Sequence, residues 1–407
     1  MAKASSILIS AYACEPGVGS EPGVGWNWVT KLAAEYDELH VVTRTGDRYI
    51  GKDGVKRVRD SRANIKAAIA QRPFSSQVHF HYYDLPNFIA NQERTLWGDM
   101  LNVYWWEVMA FFFMKKRFKK NQFDVAQKVT IVSHRFPSFA WYFAKHYIHG
   151  PIAGGERFPL SMLAIFSLKN RIKELARFFF QQTPKIDPLV LLSLKKADEI
   201  IAVTPESKSI LPAGPQKRCR VEQAVSLLGD EDFDAEVTTS INKAEGPLKL
   251  LFVGRLVEWK GIGIILRALA SIGDDIPLEL NIAGSGGDGH IFKQFVETHD
   301  LPVNFLGQVA RDQLAELYSS HDLFVFPSLR DSGGFVILEA KAYQLPCLVL
   351  KLGGPAMHCD ETTDIIVPVE GKKLNQIVSD VAESIQAFYQ KHKTLTTSEG
   401  LHVKKPA

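Results

Sequence analysis

Two cations and two acids in the second half of the chain are spaced for work on an anionic substrate. Arg255 and Lys260 follow the apolar run LLFVG, which places them just beyond a strand end. An arginine there can bond a pyrophosphate through two parallel N–H groups, and a lysine adds a point charge. Asp331 precedes the corner Gly333, Gly334, after which Phe335 opens the apolar stretch FVILEAKAYQLP, and Glu339 lies inside that stretch. A helix starting behind such a corner leaves unpaired N–H groups at its positive end, a setting for a phosphate or a sugar hydroxyl. A capping aspartate and a surface glutamate would give the same letters, although an acid in so apolar a segment needs a partner. Gly254 ends one strand, and Gly284 and Gly286 sit in AGSGGDG after the next. Glycines at these points let backbone approach a ligand closely. The G-x-G-x-x-G spacing of a dinucleotide fingerprint is absent, and a plain tight turn reads the same way.

In the first half, CEPGVGSEPGVGWNW writes Glu-Pro-Gly-Val-Gly twice between a strand and a helix, with Gly17, Gly19 and Glu21 at the turn. Such a loop can lie flat under a ligand, or be merely flexible. Further on, FDVAQKVT carries Gln127 and Thr130, and VSHRFPS carries His134. The stretch NVYWWEVMAFFFMKKRFKK sets Trp105, Trp106 and Phe111 to Phe113 beside Lys115, Lys116, Arg117, Lys119 and Lys120. It suits a helix lying in a bilayer interface, and equally a core helix that ends in cations.

The elements that position these residues repeat one rhythm. SSILISAY, GWNWVTKLAAEY and ELHVVTR read as strand, helix, strand, and the second half runs through LKLLFVG, LELNIAG, VNFLG, DLFVFPS and LPCLVL with helices between. Repetition of such units implies parallel sheets covered on both faces. The expected fold is α/β, with two tandem Rossmann-like, doubly wound domains facing across a cleft. The polar, acidic stretch LLGDEDFDAEVTTSINKAEGP separates them, giving domains 1–235 and 246–407. A chain of 407 residues exceeds one ordinary core, and a formal charge of +3 provides no global field for nucleic acid. Cys14, Cys219, Cys347 and Cys359 show no C-x-x-C spacing, which argues against a cysteine zinc site or disulfide framework and for a reducing cytoplasm. The N-terminus reads as a first strand, and no run has the length and apolarity of a membrane span.

VGRLVEWKG, IAGSGGDG and PSLRDSGGFVILEAKAYQLPCLV together resemble family 4 of the retaining nucleotide-sugar glycosyltransferases, of the GT-B fold. ACEPGVGSEPGVGWNW, RFPSFAW and GPIAGGERFP resemble one branch of it. The resemblance implies a transferase that moves a hexose, with retention, from a nucleotide diphosphate sugar to a glycan or lipid-linked hydroxyl in surface polysaccharide or glycolipid synthesis. It implies that Arg255 and Lys260 bind the donor diphosphate, Glu339 the ribose and Asp331 the donor sugar, while Gly254, Gly284, Gly286, Gly333, Gly334 and Phe335 line the donor. Gly17, Gly19 and Glu21 fall in the acceptor-side loop, with Gln127, Thr130 and His134 near it. Relatives carry a histidine where this chain has Gln127. The family pattern has glutamate where this chain has Asp331. No cofactor or metal is expected, no nucleic acid partner, and a cytoplasmic location with peripheral contact at the inner face of the membrane. A scaffold that binds the nucleotide sugar without transfer is the alternative, and a nucleotide-sugar 2-epimerase a weaker one.

Overall fold

The computed structural model describes residues 6–18, 21–50, 56–90, 96–222 and 246–399. Gly19 and most of the acidic stretch between the expected domains lie outside them. By its internal contacts the chain forms two compact units, Met1–Gly155 with Phe179–Gly229, and Glu156–Phe178 with Asp230–Ala407.

The first unit is built on strands β1 (Ser6–Ala11), β2 (Glu38–Thr43), β5 (Val78–Tyr82), β6 (Phe123–Thr130), β7 (Ala144–Ile152), β8 (Glu199–Ala202) and β9 (Cys219–Val221). They pair in the order β5-β2-β1-β6-β7-β8-β9, all parallel. A separate antiparallel hairpin, β3 (Gly46–Ile50) and β4 (Lys56–Asp60), follows β2. Alternation splits the strands between two cores. Ile7, Ile9 and Val41 pack with Trp26 and Val29 on one face, while Leu8 and Val42 pack with Trp106 and Phe123 on the other. That is why SILISA reads as one apolar run.

The second unit holds β10 (Leu248–Val253), β11 (Leu278–Ala283), β12 (Val303–Gly307), β13 (Leu323–Phe326), β14 (Cys347–Leu350) and β15 (Ile365–Val367). Their order, β12-β11-β10-β13-β14-β15, is again fully parallel. Both units are therefore Rossmann-like α/β domains. In each, the direction of strand addition reverses beside the first strand, between β1 and β6 and between β10 and β13. Loops leaving the carboxyl ends of those pairs diverge and open a crevice.

Phe158, Met162, Ile165 and Phe166, from the segment Glu156–Phe178, belong to the second unit's core. Ser167 donates its N–H and its hydroxyl to the Glu258 carboxylate at 2.8 and 3.2 Å, and Asn170 adds a bond of 2.7 Å. Glu258 is itself buried, so three donors compensate its desolvation.

The aromatic-basic stretch forms a helix, Leu96–Lys115, that is chiefly a core element. Trp106 is fully buried and donates to the Tyr83 carbonyl at 2.9 Å, and Phe111 packs on Phe139, Tyr142 and Phe143. Leu101, Trp105 and Phe112 remain exposed. In the Leu168–Phe180 helix the amphipathic pattern is inverted. Leu168, Ile172 and Leu175 are exposed, whereas Glu174 is buried against Arg330 at 2.9 Å. Among the described residues no helix is long and apolar enough to cross a membrane.

Candidate active site

At the second unit's crevice the two loops are knitted together. Leu329 donates to the Trp259 carbonyl at 3.0 Å, and Ser328 reaches the same oxygen at 3.4 Å. Gly261, at φ +80°, ends the short turn Glu258–Lys260, and a Cβ there would lie 1.9 Å from the Pro327 carbonyl oxygen. Only glycine permits that approach in that conformation.

The turn brings three cations to one indole. Lys260 Nζ lies 4.8 Å from the Trp259 ring centre, the Arg330 guanidinium 4.8 Å and the Arg255 guanidinium 5.3 Å. Lys260 also sits 4.8 Å from the centre of Phe326. Two of these charges have acids. Arg330 meets Glu174, and Lys260 forms an ion pair with Asp331 in which the side chains are only 13% and 18% exposed. Arg255 is exposed, and among the described residues no carboxylate lies within ion-pair distance of it.

Asp331 also ties down the corner ahead of the helix Phe335–Ala342. Its Oδ1 accepts from the N–H groups of Gly333 at 3.1 Å and Gly334 at 3.0 Å. One carboxylate thus engages the lysine and two of the amides expected to face the donor. Gly334, at φ +62°, precedes the helix Phe335–Ala342, and its backbone lies against Gly354 and Pro355. Gly354 donates to the Asp331 carbonyl at 2.7 Å, and His358 Nε2 bonds the Gly333 carbonyl at 2.7 Å. Burial holds His358 below the ordinary imidazole range.

Glu339 lies within this helix, half-buried, and its Oε2 accepts from the Tyr318 hydroxyl at 2.9 Å. Burial, and then the neighbouring Glu339 charge, push the Tyr318 hydroxyl well above its usual range. The partner that the apolar setting of Glu339 demanded is therefore a tyrosine. Gly284 and Gly286 back onto the main chain of Gly254 and Leu256, where added Cβ atoms would come within 1.9 and 2.4 Å of carbonyl oxygens. These glycines let the loops after β10 and β11 close on each other.

The first unit treats its expected residues differently. The second Glu-Pro-Gly-Val-Gly copy is the start of the helix Glu21–Ala33, not loop, since proline is tolerated in a first helical turn. Gly25 within it lies so near the segment following β1 that a Cβ would meet the Ala13 carbonyl oxygen at 2.1 Å. Gly17 is exposed, at φ +67°. Gln127 is buried and donates to the Gly150 carbonyl at 3.0 Å. Thr130 is buried, its hydroxyl accepting from the Ala13 N–H at 3.1 Å and donating to the Ala13 carbonyl at 2.9 Å, and His134 is buried with Nδ1 2.8 Å from the Ala153 carbonyl. All three side chains point into the protein. Glu21 accepts from Val132 N–H at 3.1 Å and faces the buried Lys128, which donates to the Ile131 and Ser133 carbonyls at 3.1 and 3.4 Å. Buried Glu107 acts on the same lysine.

Trp259, Arg330, Glu174 and Glu258 are the site residues that sequence reading missed. The signal for Trp259 and Glu258 was in view, inside VEWKG. Glu174 and Arg330 are far apart in sequence, and nothing local links them.

Residues 234–384 match the family model described as glycosyl transferases group 1. Over 158 residues, 35% of the chain, it is 31% identical to the D-inositol 3-phosphate glycosyltransferase of Arthrobacter sp. strain FB24, covering 35% of that protein. Over 221 residues, 52% of the chain, it is 23% identical to the phosphatidylinositol N-acetylglucosaminyltransferase GPI3 subunit of Saccharomyces cerevisiae, covering 48% of it. These matches span from about a third to about half of the relatives' own length. Among solved structures, the lipopolysaccharide outer core galactosyltransferase WaaB in its apo form superposes over 97% of this chain and 100% of its own, with TM-score 0.55 and 13% identity. Sucrose-phosphate synthase from Thermosynechococcus elongatus covers 96% of this chain and 90% of its own, with TM-score 0.52 and 18% identity. The likeness to these structures extends over both units and is one of fold.

Proposed function

We propose that this chain is a retaining glycosyltransferase of family 4, moving a hexose from a nucleotide diphosphate sugar to a hydroxyl of a glycan or lipid-linked acceptor in surface polysaccharide or glycolipid synthesis. The observation that carries the reading is the group of cations around Trp259, set at the crevice of a 3-2-1-4-5-6 sheet within the stretch that matches group 1 transferases. As the donor bond breaks, negative charge grows on the departing diphosphate. Arg255, Lys260 and the positive end of the Phe335–Ala342 helix offset that charge, so the step needs no metal ion. Asp331 now holds both Lys260 and the amides of Gly333 and Gly334. A diphosphate competes with this carboxylate for the same groups, and Asp331, once displaced, is free to meet the donor sugar. Glu339, fixed by Tyr318, is the acid for the ribose.

The acceptor side fits an anionic bilayer surface on the cytoplasmic face. Exposed Leu101, Trp105 and Phe112 share a helix that runs into exposed Lys115 and Lys116. Flotation with vesicles containing anionic lipid at low salt checks this, and protein that stays unbound refutes it.

The central test is donor binding and turnover. Arg255→Ala and Lys260→Ala should each lower transfer or donor hydrolysis by about 10²–10³-fold, as loss of one transition-state donor does elsewhere. Turnover intact in both variants rejects the assignment. The existing hold of Asp331 on lysine and amides favours the scaffold reading as a second. Titration showing nucleotide-sugar binding, with neither transfer nor donor hydrolysis, would establish it.

A further inference from the structure

The first unit carries a cluster of imidazoles that the transferase reading does not use. On β2, Glu38 and His40 alternate onto one face. On the neighbouring edge strand β5, His79 and His81 do the same, and the register pairs His40 with His79 and Val42 with His81. Partners in a parallel ladder share a face, so all four side chains gather on one side of two adjacent strands.

Their contacts are close. His40 Nε2 lies 2.9 Å from Glu38 Oε1, and His40 Nδ1 lies 2.9 Å from His81 Nε2. The rings of His40 and His79 are 5.0 Å apart, and those of His40 and His81 5.2 Å. Potential ligand atoms of Glu38, His40 and His79 all fall within 4.8 Å of one another. Phe118 packs edge-on against His40 and His81, with ring centres 5.5 and 5.1 Å away, and Phe123 lies 5.1 Å from His40. The aromatic rings hold His40 and His81 in place, while Glu38 and His79 are exposed and free to adjust.

We propose that Glu38, His40 and His79 form a zinc site, with His81, bonded to the other nitrogen of His40, holding that ring in orientation. Two imidazoles and a carboxylate are a common zinc donor set, with a water completing the tetrahedron. Closing the present ligand separations onto bonds of about 2.0–2.1 Å needs only movement of the two exposed side chains. The apo hydrogen bonds have the polarity the ion would reverse. Glu38 can only accept, so His40 Nε2 carries the proton and Nδ1 accepts from His81. When zinc takes Nε2, His40 carries its proton on Nδ1 and donates it to His81, whose own proton moves to its Nδ1. A ligating histidine fixed in this way by a partner at its other nitrogen is the usual arrangement.

The site lies toward the amino-terminal ends of β2 and β5, whereas ligand crevices of such sheets form at the carboxyl ends. Its ion would fasten the edge strand to its neighbour and take no part in sugar transfer. The inference therefore stands apart from the proposed function.

The whole protein, stripped with EDTA and exchanged into chelator-free buffer, is titrated with zinc chloride. One ion per chain is expected, with a rise in melting temperature. His81→Ala should weaken zinc binding about 10–100-fold, as loss of an outer partner does, and His79→Ala more severely still. Glu38→Gln should also weaken it, and both exposed-site variants should melt as wild type does without zinc. X-ray absorption should report two imidazole nitrogens in the first shell. No saturable binding, binding unchanged in both His79→Ala and Glu38→Gln, or a shell of oxygens alone would overturn the site.

Discussion

Both sheets reverse beside their first strand, yet the two corners are charged in different ways. In the first unit Lys128 is buried, set between Glu107 and Glu21 and bonded to two carbonyl oxygens. There Glu21, the first residue of the helix Glu21–Ala33, accepts from the Val132 N–H just past β6. In the second unit Lys260 and Arg330 lie nearer the surface, Arg255 is exposed, and an indole lies under all three. A buried lysine already neutralised has nothing to offer an incoming anion. A shallow one whose acid sits on a loop can exchange that acid for a phosphate. The same topology thus yields a structural corner in one unit and, on the proposed function, a binding corner in the other.

The largest test of this contrast is a matched pair of substitutions. Lys128→Ala empties a buried site, taking the donor from the Ile131 and Ser133 carbonyls and the cation from Glu21, and should cost about 3–5 kcal/mol of stability, measured by urea unfolding, while donor binding by folded protein persists. Lys260→Ala should do the reverse, melting close to wild type while losing turnover. A variant pair that behaves alike would erase the distinction. Next, Glu258→Ala removes a charged acceptor from Ser167 and Asn170. It should cost roughly 2–4 kcal/mol and speed amide exchange around residues 167–172 before the rest of the second unit. Asp331→Asn keeps an oxygen for the two amides but removes the competing charge. Nucleoside diphosphate affinity should then rise roughly two- to fivefold, the scale of a partly exposed ion pair, even as transfer falls.

The smallest effect is in pH. Burial raises the Glu107 carboxyl above its ordinary range, toward about 8. Over that interval the folded state keeps a proton the unfolded state has lost, so the first unit loses stability as pH rises. His358 is shifted down from 6.5, chiefly by burial. Its contribution is present above that value and is lost as pH falls below it. Hydrogen exchange between pH 5 and 8 should show the two units changing in opposite directions. Glu107→Gln should flatten the first slope and His358→Gln the second.

Much of this was legible in the letters. LKLLFVG and DLFVFPS are strands because parallel strands covered on both faces are almost wholly apolar, whereas LELNIAG alternates, its Glu279 and Asn281 only half-buried. Lys260 and Asp331 were each legible as residues just past a strand end, while their ion pair is visible only in the fold. Other features depended on partners far along the chain. Gln127 was expected near the acceptor-side loop, and what its side chain meets there is set by a partner far along the chain, Gly150. The aromatic run 105–113 suited a bilayer interface and a core helix equally, and the packing of Phe139, Tyr142 and Phe143 decides which of its rings remain outside. The helix Leu168–Phe180, with its buried glutamate and exposed leucines, defied the usual pattern because Arg330 and Glu258 supply its polar faces from elsewhere.

That borrowed segment affects how the molecule is made. Residues 156–178 leave the ribosome well before 246–399, the strands and helices that cover Phe158, Met162, Ile165 and Phe166. During synthesis these apolar side chains must wait uncovered, and so long-range a closure is slow and invites association between nascent chains. A carboxyl-terminal fragment cut anywhere in 223–245 would inherit the complementary defect, a hole where four side chains should be.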